Sequence, residues 1–239
     1  MRQLAGLRRR LDQIRHVATA CTQQHHQDLI PVLRPHVPEG GAVIDVGAHA
    51  GQFAKLFSKM VTTDGVVHAF EPSRYTRAIL RLALQTNGCR NVAIHAAALS
   101  DRPGTLTLHT PIKASGLRGY GLASLAGAGQ RIATAAIEET VPVVTLDEFV
   151  TSKNLRVDFI KVDIEGWEAH FVRGARRTLQ TERPCLLMEI DHRLLARAGE
   201  SAVELMAYFR ALGYGLRKLP AWEIEVDGYS GPGDYLLLS

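Results

Sequence analysis

The sequence lacks the marks of several protein classes. It has only three cysteines in 239 residues, Cys21, Cys89 and Cys185, without a CxxC pair or a Cys/His cluster. This spacing argues against a zinc site and favours reduced thiols in a cytoplasmic protein. No segment approaches the roughly 18 consecutive apolar residues that a membrane-spanning helix needs. The arginine-rich N-terminus also lacks the apolar core of a secretory signal, so we expect none.

The positive charge is confined to one end of the chain. The net charge is +4, and residues 1–36 account for all of it, with six arginines against two aspartates. The remainder is neutral, which argues against a nucleic-acid partner for the protein as a whole. One face of an amphipathic helix is formed there by Leu4, Leu7, Leu11, Ile14 and Ala18. We predict that residues 1–39 are a helical arm docked on the main domain. Contact with a membrane surface or a second copy of the chain is the alternative.

The composition is that of a globular protein, with 46% hydrophobic and 22% charged residues. The order of the predicted elements is that of an α/β domain. From residue 42 onward, apolar strands alternate with amphipathic helices, which predicts a parallel sheet covered on both faces, and we assign residues 40–239 to one domain. Residues 111–131 interrupt the alternation with five glycines and no acidic residue, which predicts a lid loop. The predicted strands are 42–46, 65–70, 91–97, 105–109, 141–146, 157–162, 184–190, 215–219, 222–226 and 235–238.

A small-residue turn follows the first predicted strand. It runs from Asp45 to Gly51 and contains Gly47, while Glu71 ends the next strand 24 residues after Gly47. A carboxylate at that position can accept both hydroxyl protons of a ribose, so the pair predicts a ribose-bearing cofactor. A dinucleotide requires bare backbone at the second glycine of G-x-G-x-x-G, and His49 there would crowd a pyrophosphate. The residues therefore favour S-adenosylmethionine over NAD.

Two later strands also end in polar residues. Lys161 and Asp163 share one face of their strand, so a structural ion pair is the alternative to a functional role for Asp163. His192, beyond the next strand, is the best-placed general base by sequence, because an imidazole titrates near roughly pH 6.5. Alternatively Asp163, Glu165 and Glu189 supply the oxygen ligands of a divalent cation.

Taken together, these segments closely resemble the FkbM-type methyltransferases over roughly residues 40–220. The motifs occur in the family's order, and as a set they are specific, although each alone is weak. Three positions depart from the family pattern. His49 replaces the usual Asn, and Ala123-Ser124 stands where the lid often has a Ser pair. Trp167 replaces a commonly small residue, which predicts a reshaped acceptor pocket. The matching segments are 45–51 (DVGAHAG), 69–72 (AFEP), 97–101 (AALSD), 144–147 (VTLD), 158–166 (DFIKVDIEG) and 189–190 (EI).

The resemblance implies a class I methyltransferase, with a Rossmann-like, mostly parallel seven-stranded sheet and S-adenosylmethionine as the cofactor. Asp163 is placed beside the transferred methyl group. The implied cofactor-binding residues are Asp45, Gly47, Ala48, His49 and Gly51 at the turn, Glu71 and Pro72 at the ribose, Ala98 and Ser100 near the adenine, and Asp163.

The family typically methylates hydroxyl oxygens, so the expected acceptor is a sugar, glycolipid or polyketide-type small molecule. A neutral hydroxyl is a weak nucleophile, which calls for a base or a metal. Asp163, Glu165 and His192 are the candidate catalytic residues. Two alternatives stay open at this point: an NAD-dependent oxidoreductase and a nucleoside-binding module without catalysis.

Overall fold

Two sheets form the framework of the protein. The computed structural model describes residues 14–112 and 135–239, together with the backbone of residues 124–126. The strands are β1 (Ala42–Val46), β2 (Val66–Phe70), β3 (Val92–His95), β4 (Ala98–Leu99), β5 (Gly104–Pro111), β6 (Ser124–Ala126), β7 (Ala136–Val144), β8 (Phe159–Val162), β9 (Cys185–Ile190), β10 (Gly215–Lys218) and β11 (Gly233–Leu238).

The helices follow the predicted alternation. Residues 14–22 form α1 in the described part of the chain, and a 3-10 turn at Gln27–Leu29 leads into the second helix. The other helices are α2 (Ile30–Leu33), α3 (Gln52–Met60), α4 (Arg74–Thr86), α5 (Leu146–Lys153), α6 (Glu168–Gly174), α7 (Arg176–Thr181), α8 (His192–Arg197) and α9 (Ala202–Ala211).

The main sheet has the strand order β10-β11-β9-β8-β1-β2-β3 within the described residues. The five strands from β9 to β3 are parallel, and β11 and β10 add an antiparallel edge. The chain moves from β1 towards β3 and later returns to the other side of β1 at β8. This reversal is the place where open α/β sheets bind ligands. The predicted class I fold, with a mostly parallel seven-stranded sheet, is confirmed.

Strand alternation divides the core into two layers. Ile44 of β1 faces a cluster that includes Leu146 of α5 and Phe209 of α9. Its neighbour Val43 faces the opposite cluster, which includes Leu33 of α2 and Phe57 of α3. Successive side chains of a strand point to opposite faces, so a continuously apolar strand requires helices on both sides.

The structure corrects four of the predictions, one of them through a local helix cap. β7 ends at Val144 rather than residue 146, because Thr145 and Glu148 form a capping box that begins α5. The predicted strand 91–97 shortens to Val92–His95. The predicted strand 222–226 is absent from the described structure, where only Glu225 bridges to Arg217. In the predicted lid, residues 124–126 form β6 and pair with β5, while 113–123 and 127–134 lie outside the described residues.

The arm docks on the domain by a face other than the predicted one. Ile14 and Ala18 are exposed, whereas Val17, Ala20 and Cys21 pack against α4 and against Ala50, in the turn before α3. Leu4, Leu7 and Leu11 lie outside the described residues. The predicted second helix, residues 23–33, begins only after an irregular segment at residues 23–26.

Hydrogen bonds from Lys55 of α3 hold the arm against the domain. The lysine side chain is buried, and Nζ donates hydrogen bonds to the carbonyl oxygens of Ala20 (2.6 Å) and Gln23 (2.8 Å). These carbonyls lie at the C-terminal end of α1, where a cation is favoured by the helix dipole. Asn87 of α4 adds a 2.9 Å hydrogen bond to the Cys21 carbonyl oxygen. The last turn of α1 is therefore tied to two helices of the domain.

Candidate active site

A cleft of about 280 Å³ opens at the carboxyl ends of β1, β2, β8 and β9. One end of the cleft lies by β1 and β2, and the other lies by β9 and β11. Neighbouring strands are about 4.8 Å apart, so the four steps from β2 to β11 span roughly 19 Å. The turn end is formed by Gly47, Ala48, His49, Glu71, Pro72 and Ala98. The carboxylate end is formed by His26, Phe53, Lys161, Glu165, Glu189 and Asp234.

The turn end is a tight bend that only a glycine can begin. Gly47 has φ +75°, and a Cβ at this position would lie 2.0 Å from the carbonyl oxygen of Asp163. The N–H groups of Gly47 and Ala48 both donate to the Phe70 carbonyl oxygen at 3.0 Å. His49, with φ +47°, continues the turn in the left-handed region. The bend therefore brings bare backbone against the ends of two neighbouring strands.

Glu71 is held in place by the turn itself. Its Oε2 accepts the His49 N–H at 2.9 Å, and its Oε1 accepts the Ser73 N–H at 2.8 Å. Burial raises the pKa of this carboxyl to about 7. Each oxygen keeps a further lone pair, because a carboxylate has about four acceptor sites in all. A buried carboxylate that still has acceptor capacity and faces a glycine turn fits the two hydroxyl groups of a ribose.

Lys161 and Asp163 form the junction between the two ends. Lys161 Nζ lies 3.3 Å from Asp163 Oδ2 and 4.0 Å from Oδ1 of the fully buried Asp45. Burial alone would lower the pKa of Lys161, but the two carboxylates outweigh it and raise that pKa. Burial raises the pKa of Asp45 to about 6, against the attraction of Lys161. The predicted contact between Lys161 and Asp163 is present, and Asp163 also lines the cleft.

Three more acidic side chains line the carboxylate end. Burial, with repulsion from Asp163 as the next cause, raises the pKa of Glu165 and of Glu189 to about 7 and also raises the pKa of Asp234. Asp234 is partly buried and Glu189 is exposed. Within the described part of the chain, no residue donates a hydrogen bond to the side-chain carboxylate of either, so both carboxylates are open to donors from a ligand.

Several predicted site residues lie elsewhere. His192 is exposed, and its Nδ1 lies 2.8 Å from the Tyr229 hydroxyl, outside the lining of the cleft. Ser100 accepts a 2.9 Å hydrogen bond from the Trp167 indole, which stacks on His170. Trp167 therefore does not line the cleft, contrary to what its departure from the family pattern suggested. Asp45 and Gly51 also lie outside the lining of the cleft, and the Gly51 N–H closes the turn by donating to the Ala48 carbonyl oxygen at 2.9 Å.

The metal hypothesis finds no assembled ligand set. Asp163, Glu165 and Glu189 all line the cleft, but no three His, Cys, Asp or Glu side chains within residues 14–112 and 135–239 are placed to hold one ion. No helix in the same part of the chain is long and apolar enough to cross a membrane.

Sequence reasoning missed His26 and Asp234. His26 carries no motif that could have identified it. Asp234 offered a topological signal, because the start of an antiparallel strand lies beside the carboxyl ends of its parallel neighbours. Once β11 is recognised as antiparallel to β9, Asp234 is expected at the edge of the cleft.

Comparisons with known proteins agree with this geometry. The family described as the methyltransferase FkbM domain matches residues 45–216. No curated protein sequence matches the chain. A solved methyltransferase FkbM from Methylobacillus flagellatus KT is 16% identical, with a TM-score of 0.50, and the alignment covers 94% of this chain and 58% of that one.

Two other solved structures share the fold. A proposed O-methyltransferase from Klebsiella pneumoniae is 12% identical with a TM-score of 0.51, covering 95% of this chain and 86% of that one. A proposed rRNA methylase from Clostridium thermocellum is 8% identical with a TM-score of 0.51, covering 91% and 97%. At these identities the likeness shows the fold alone, and the fold serves acceptors of different kinds.

Proposed function

This chain belongs to the FkbM methyltransferase family and is a methyltransferase that depends on S-adenosylmethionine; we propose that it methylates a hydroxyl oxygen of a small polyhydroxylated molecule. A sugar, a glycolipid headgroup and a polyketide all offer such an oxygen. The observation that carries this proposal is the row of carboxylates beyond the turn, at Asp163, Glu165, Glu189 and Asp234. A hydroxyl acceptor needs groups that receive its hydrogen bonds and its proton, and carboxylates do both.

The residues at the turn fit the cofactor. Gly47 and Ala48 line the cleft with little or no side chain where its methionine part would lie, and Glu71 has acceptor capacity for its ribose hydroxyls. When bound, the cofactor supplies an electrophilic methyl carbon, which bonds to the acceptor oxygen while the carbon–sulfur bond breaks and its electron pair stays on sulfur. The absence of a second glycine at position 49 supports this cofactor over NAD.

Asp163 and Glu165 are the groups we assign to the reacting hydroxyl. The backbone of Asp163 touches the glycine turn, and its side chain is fixed by Lys161, so it stands where the two ends of the cleft meet. Glu165 lines the cleft two residues later. Its pKa of about 7 suits a base that takes the hydroxyl proton near neutral pH. The site must also hold the acceptor oxygen in line with the bond between the methyl carbon and the sulfur.

Turnover by two variants tests this assignment. Asp163→Asn and Glu165→Gln should each lower the single-turnover rate on an alcohol acceptor by ~100-fold or more, the usual contribution of a positioned acid or base. The wild-type rate should rise as the pH rises through about 7, because Glu165 must lose its proton to act. Glu165→Gln should lack that rise.

The matched control is Glu223→Gln, an exposed carboxylate away from the cleft. It should keep the wild-type rate and pH profile. Mass spectrometry of the product must show a methyl ether. A product methylated on nitrogen or carbon would reject the proposal, and wild-type turnover in Asp163→Asn would reject the assignment of that residue. Binding of the cofactor without turnover of any acceptor would instead favour a nucleoside-binding module.

A further inference from the structure

A histidine of the N-terminal arm reaches the carboxylate end of the cleft. His26 lies between α1 and the 3-10 turn with φ +61° and ψ +21°, a left-handed conformation that few residues other than glycine adopt. Its ring stacks on Phe53 of α3, with centroids 4.4 Å apart and planes 16° apart. Both rings line the cleft. Together they make a flat apolar wall beside the carboxylates.

The position of His26 is set by hydrogen bonds on its N-terminal side. The Gln24 side chain donates to the Gln52 carbonyl oxygen at 2.9 Å, and the His25 N–H donates to Gln52 Oε1 at 3.1 Å. Gln52 is the first residue of α3, directly before Phe53. The arm and α3 are thus joined at the point where each supplies one ring of the wall. Strained backbone held in this way is typical of functional positions.

Asp234 stands on the opposite side of the carboxylate end. It is the second residue of β11 and is paired directly with Glu189 of β9. Side chains paired in this way have Cβ atoms about 5 Å apart, so the two carboxylates present a row of acceptor oxygens. Lys161 faces the same space, with Nζ 5.0 Å from the centre of the Phe53 ring.

Charge at this end selects against anions. This end holds four carboxyl groups and one ammonium group, at Asp163, Glu165, Glu189, Asp234 and Lys161. The ammonium group of Lys161 is already paired with Asp163 and Asp45. Among the described residues, the groups that act electrostatically on His26 are Lys161, Asp234, His25 and Asp28, so the described part of the arm brings no excess of positive charge to this end. A phosphate or carboxylate on the acceptor would be repelled, whereas hydroxyl groups would find acceptors.

Resting on the proposed transfer to a hydroxyl, we propose that His26 and Asp234 form the acceptor subsite and that it takes an uncharged, polyhydroxylated ring. One face of the ring packs on His26 and Phe53, and its hydroxyls donate to Asp234 and Glu189. Both His26 and Asp234 lie outside residues 45–216, whereas Gly47, Glu71 and Asp163 lie inside. The family-matched part of the chain thus supplies the cofactor end together with Phe53 and Glu189, and the two flanking segments add His26 and Asp234 to the acceptor subsite.

Binding to the purified protein, saturated with S-adenosylhomocysteine, tests the subsite. The probes are methyl glucoside and glucose 6-phosphate, titrated by calorimetry. The variants are His26→Asn, in which asparagine tolerates the left-handed backbone, and Asp234→Asn. The controls are His192→Asn and Asp227→Asn, both at exposed positions outside the lining of the cleft. Wild type should bind methyl glucoside at least tenfold more tightly than the phosphate. Each test variant should weaken methyl glucoside binding about tenfold, the value of one hydrogen bond to a charged group or one stacked contact.

Affinity for S-adenosylhomocysteine should change less than about twofold in every variant, because the subsite is separate from the turn. Asp234→Asn should also reduce the factor by which methyl glucoside binds more tightly than glucose 6-phosphate. Equal or tighter binding of glucose 6-phosphate, no binding of methyl glucoside, or test variants that behave like their controls would each overturn the subsite.

The two proposals fail in different ways. A product methylated on nitrogen or carbon rejects the proposed function but leaves the sugar titration to decide the subsite. Methyl ether formation that is unchanged in His26→Asn and Asp234→Asn rejects the subsite and leaves the proposed function standing.

Discussion

The two ends of the cleft are built on opposite principles. At the turn end, the carboxylate of Glu71 is fixed by two backbone N–H groups, and the backbone of Gly47 is locked against Asp163 and Phe70. At the carboxylate end, the side-chain carboxylates of Glu189 and Asp234 have no hydrogen-bond donor among the residues that the structure describes. The turn end is complete before any ligand arrives, and the carboxylate end is not.

The difference follows from where the residues lie in the chain. The turn is formed by one strand–helix connection and the end of the adjacent strand, so local geometry determines it. The carboxylate end collects His26, Glu165, Glu189 and Asp234 from four separate segments. A site assembled in this way can change its acceptor by changes in any one segment, while the cofactor site stays intact. One fold can serve many functions in this way, because the residues of the site rather than the fold determine the function.

The largest expected effect is the loss of the cofactor on breaking the turn. Gly47→Ala would place Cβ 2.0 Å from the Asp163 carbonyl oxygen. Overpacking against backbone costs about 3 kcal/mol, so affinity for S-adenosylhomocysteine, measured by calorimetry, should fall ~100-fold. Gly88→Ala is the matched control, since Gly88 also has a positive φ (+68°) but has nothing within 4 Å of its added Cβ. Equal losses in both variants would show that general backbone strain, and not this contact, is responsible.

A somewhat smaller effect is expected at Glu71. Glu71→Gln keeps the shape but loses the charge and one acceptor oxygen, and hydrogen bonds to a charged group are worth about 1.5–3 kcal/mol. Affinity for S-adenosylhomocysteine should therefore fall roughly 10- to 100-fold. Glu39→Gln, at a side chain that is 73% exposed, should leave the affinity unchanged. Undiminished affinity in Glu71→Gln would mean that the ribose is bound elsewhere.

The same substitution should remove a pH dependence from the stability of the free protein. Burial raises the pKa of Glu71 from 4.5 to about 7, so the folded state holds a proton that the unfolded state has lost between those values. Wild type should therefore lose stability relative to Glu71→Gln as the pH rises from about 4.5 to about 7, by at most roughly 3 kcal/mol.

Chemical denaturation of both proteins at pH 4.5, 6 and 8 measures this difference, and comparison with the variant cancels the buried histidines common to both. A pH-independent difference would contradict it. Improved stability together with weakened binding would show that the turn end keeps an unfavourable buried charge for its ligand.

The contrast also explains what could be predicted from the sequence. The turn end could be located from the sequence, because Gly47 and Glu71 follow apolar strands at a spacing that local geometry imposes. The class I fold could be predicted as well, because strand and helix periods alternate regularly from Ala42. Asp163 lies beside the cleft, as expected. The ion pair with Lys161, which was the alternative to a functional role, is also present, since residues two apart on a strand share a face.

The acceptor end could not be predicted in the same way. His26 reaches the cleft through tertiary contacts of the arm with Gln52, which no periodicity encodes. His192 looked suitable because it follows a strand end, yet Asp191 caps α8 and the helix begins at once, so the imidazole turns away to Tyr229. Ser100 likewise contacts Trp167 because that indole donor requires a partner when buried.

The smallest expected effect concerns how far the acceptor end depends on the arm. Lys55→Met would leave the carbonyl oxygens of Ala20 and Gln23 without their donor, at a cost of about 1–3 kcal/mol. Hydrogen exchange of residues 14–26 should then accelerate, and methyl glucoside binding should weaken severalfold as His26 loses its place. S-adenosylhomocysteine affinity should hold, because the turn contacts neither carbonyl. Lys59→Met, at an exposed position of the same helix, should change none of these. If Lys55→Met weakened both ligands equally, the arm would support the whole cleft and the two ends would not be independent.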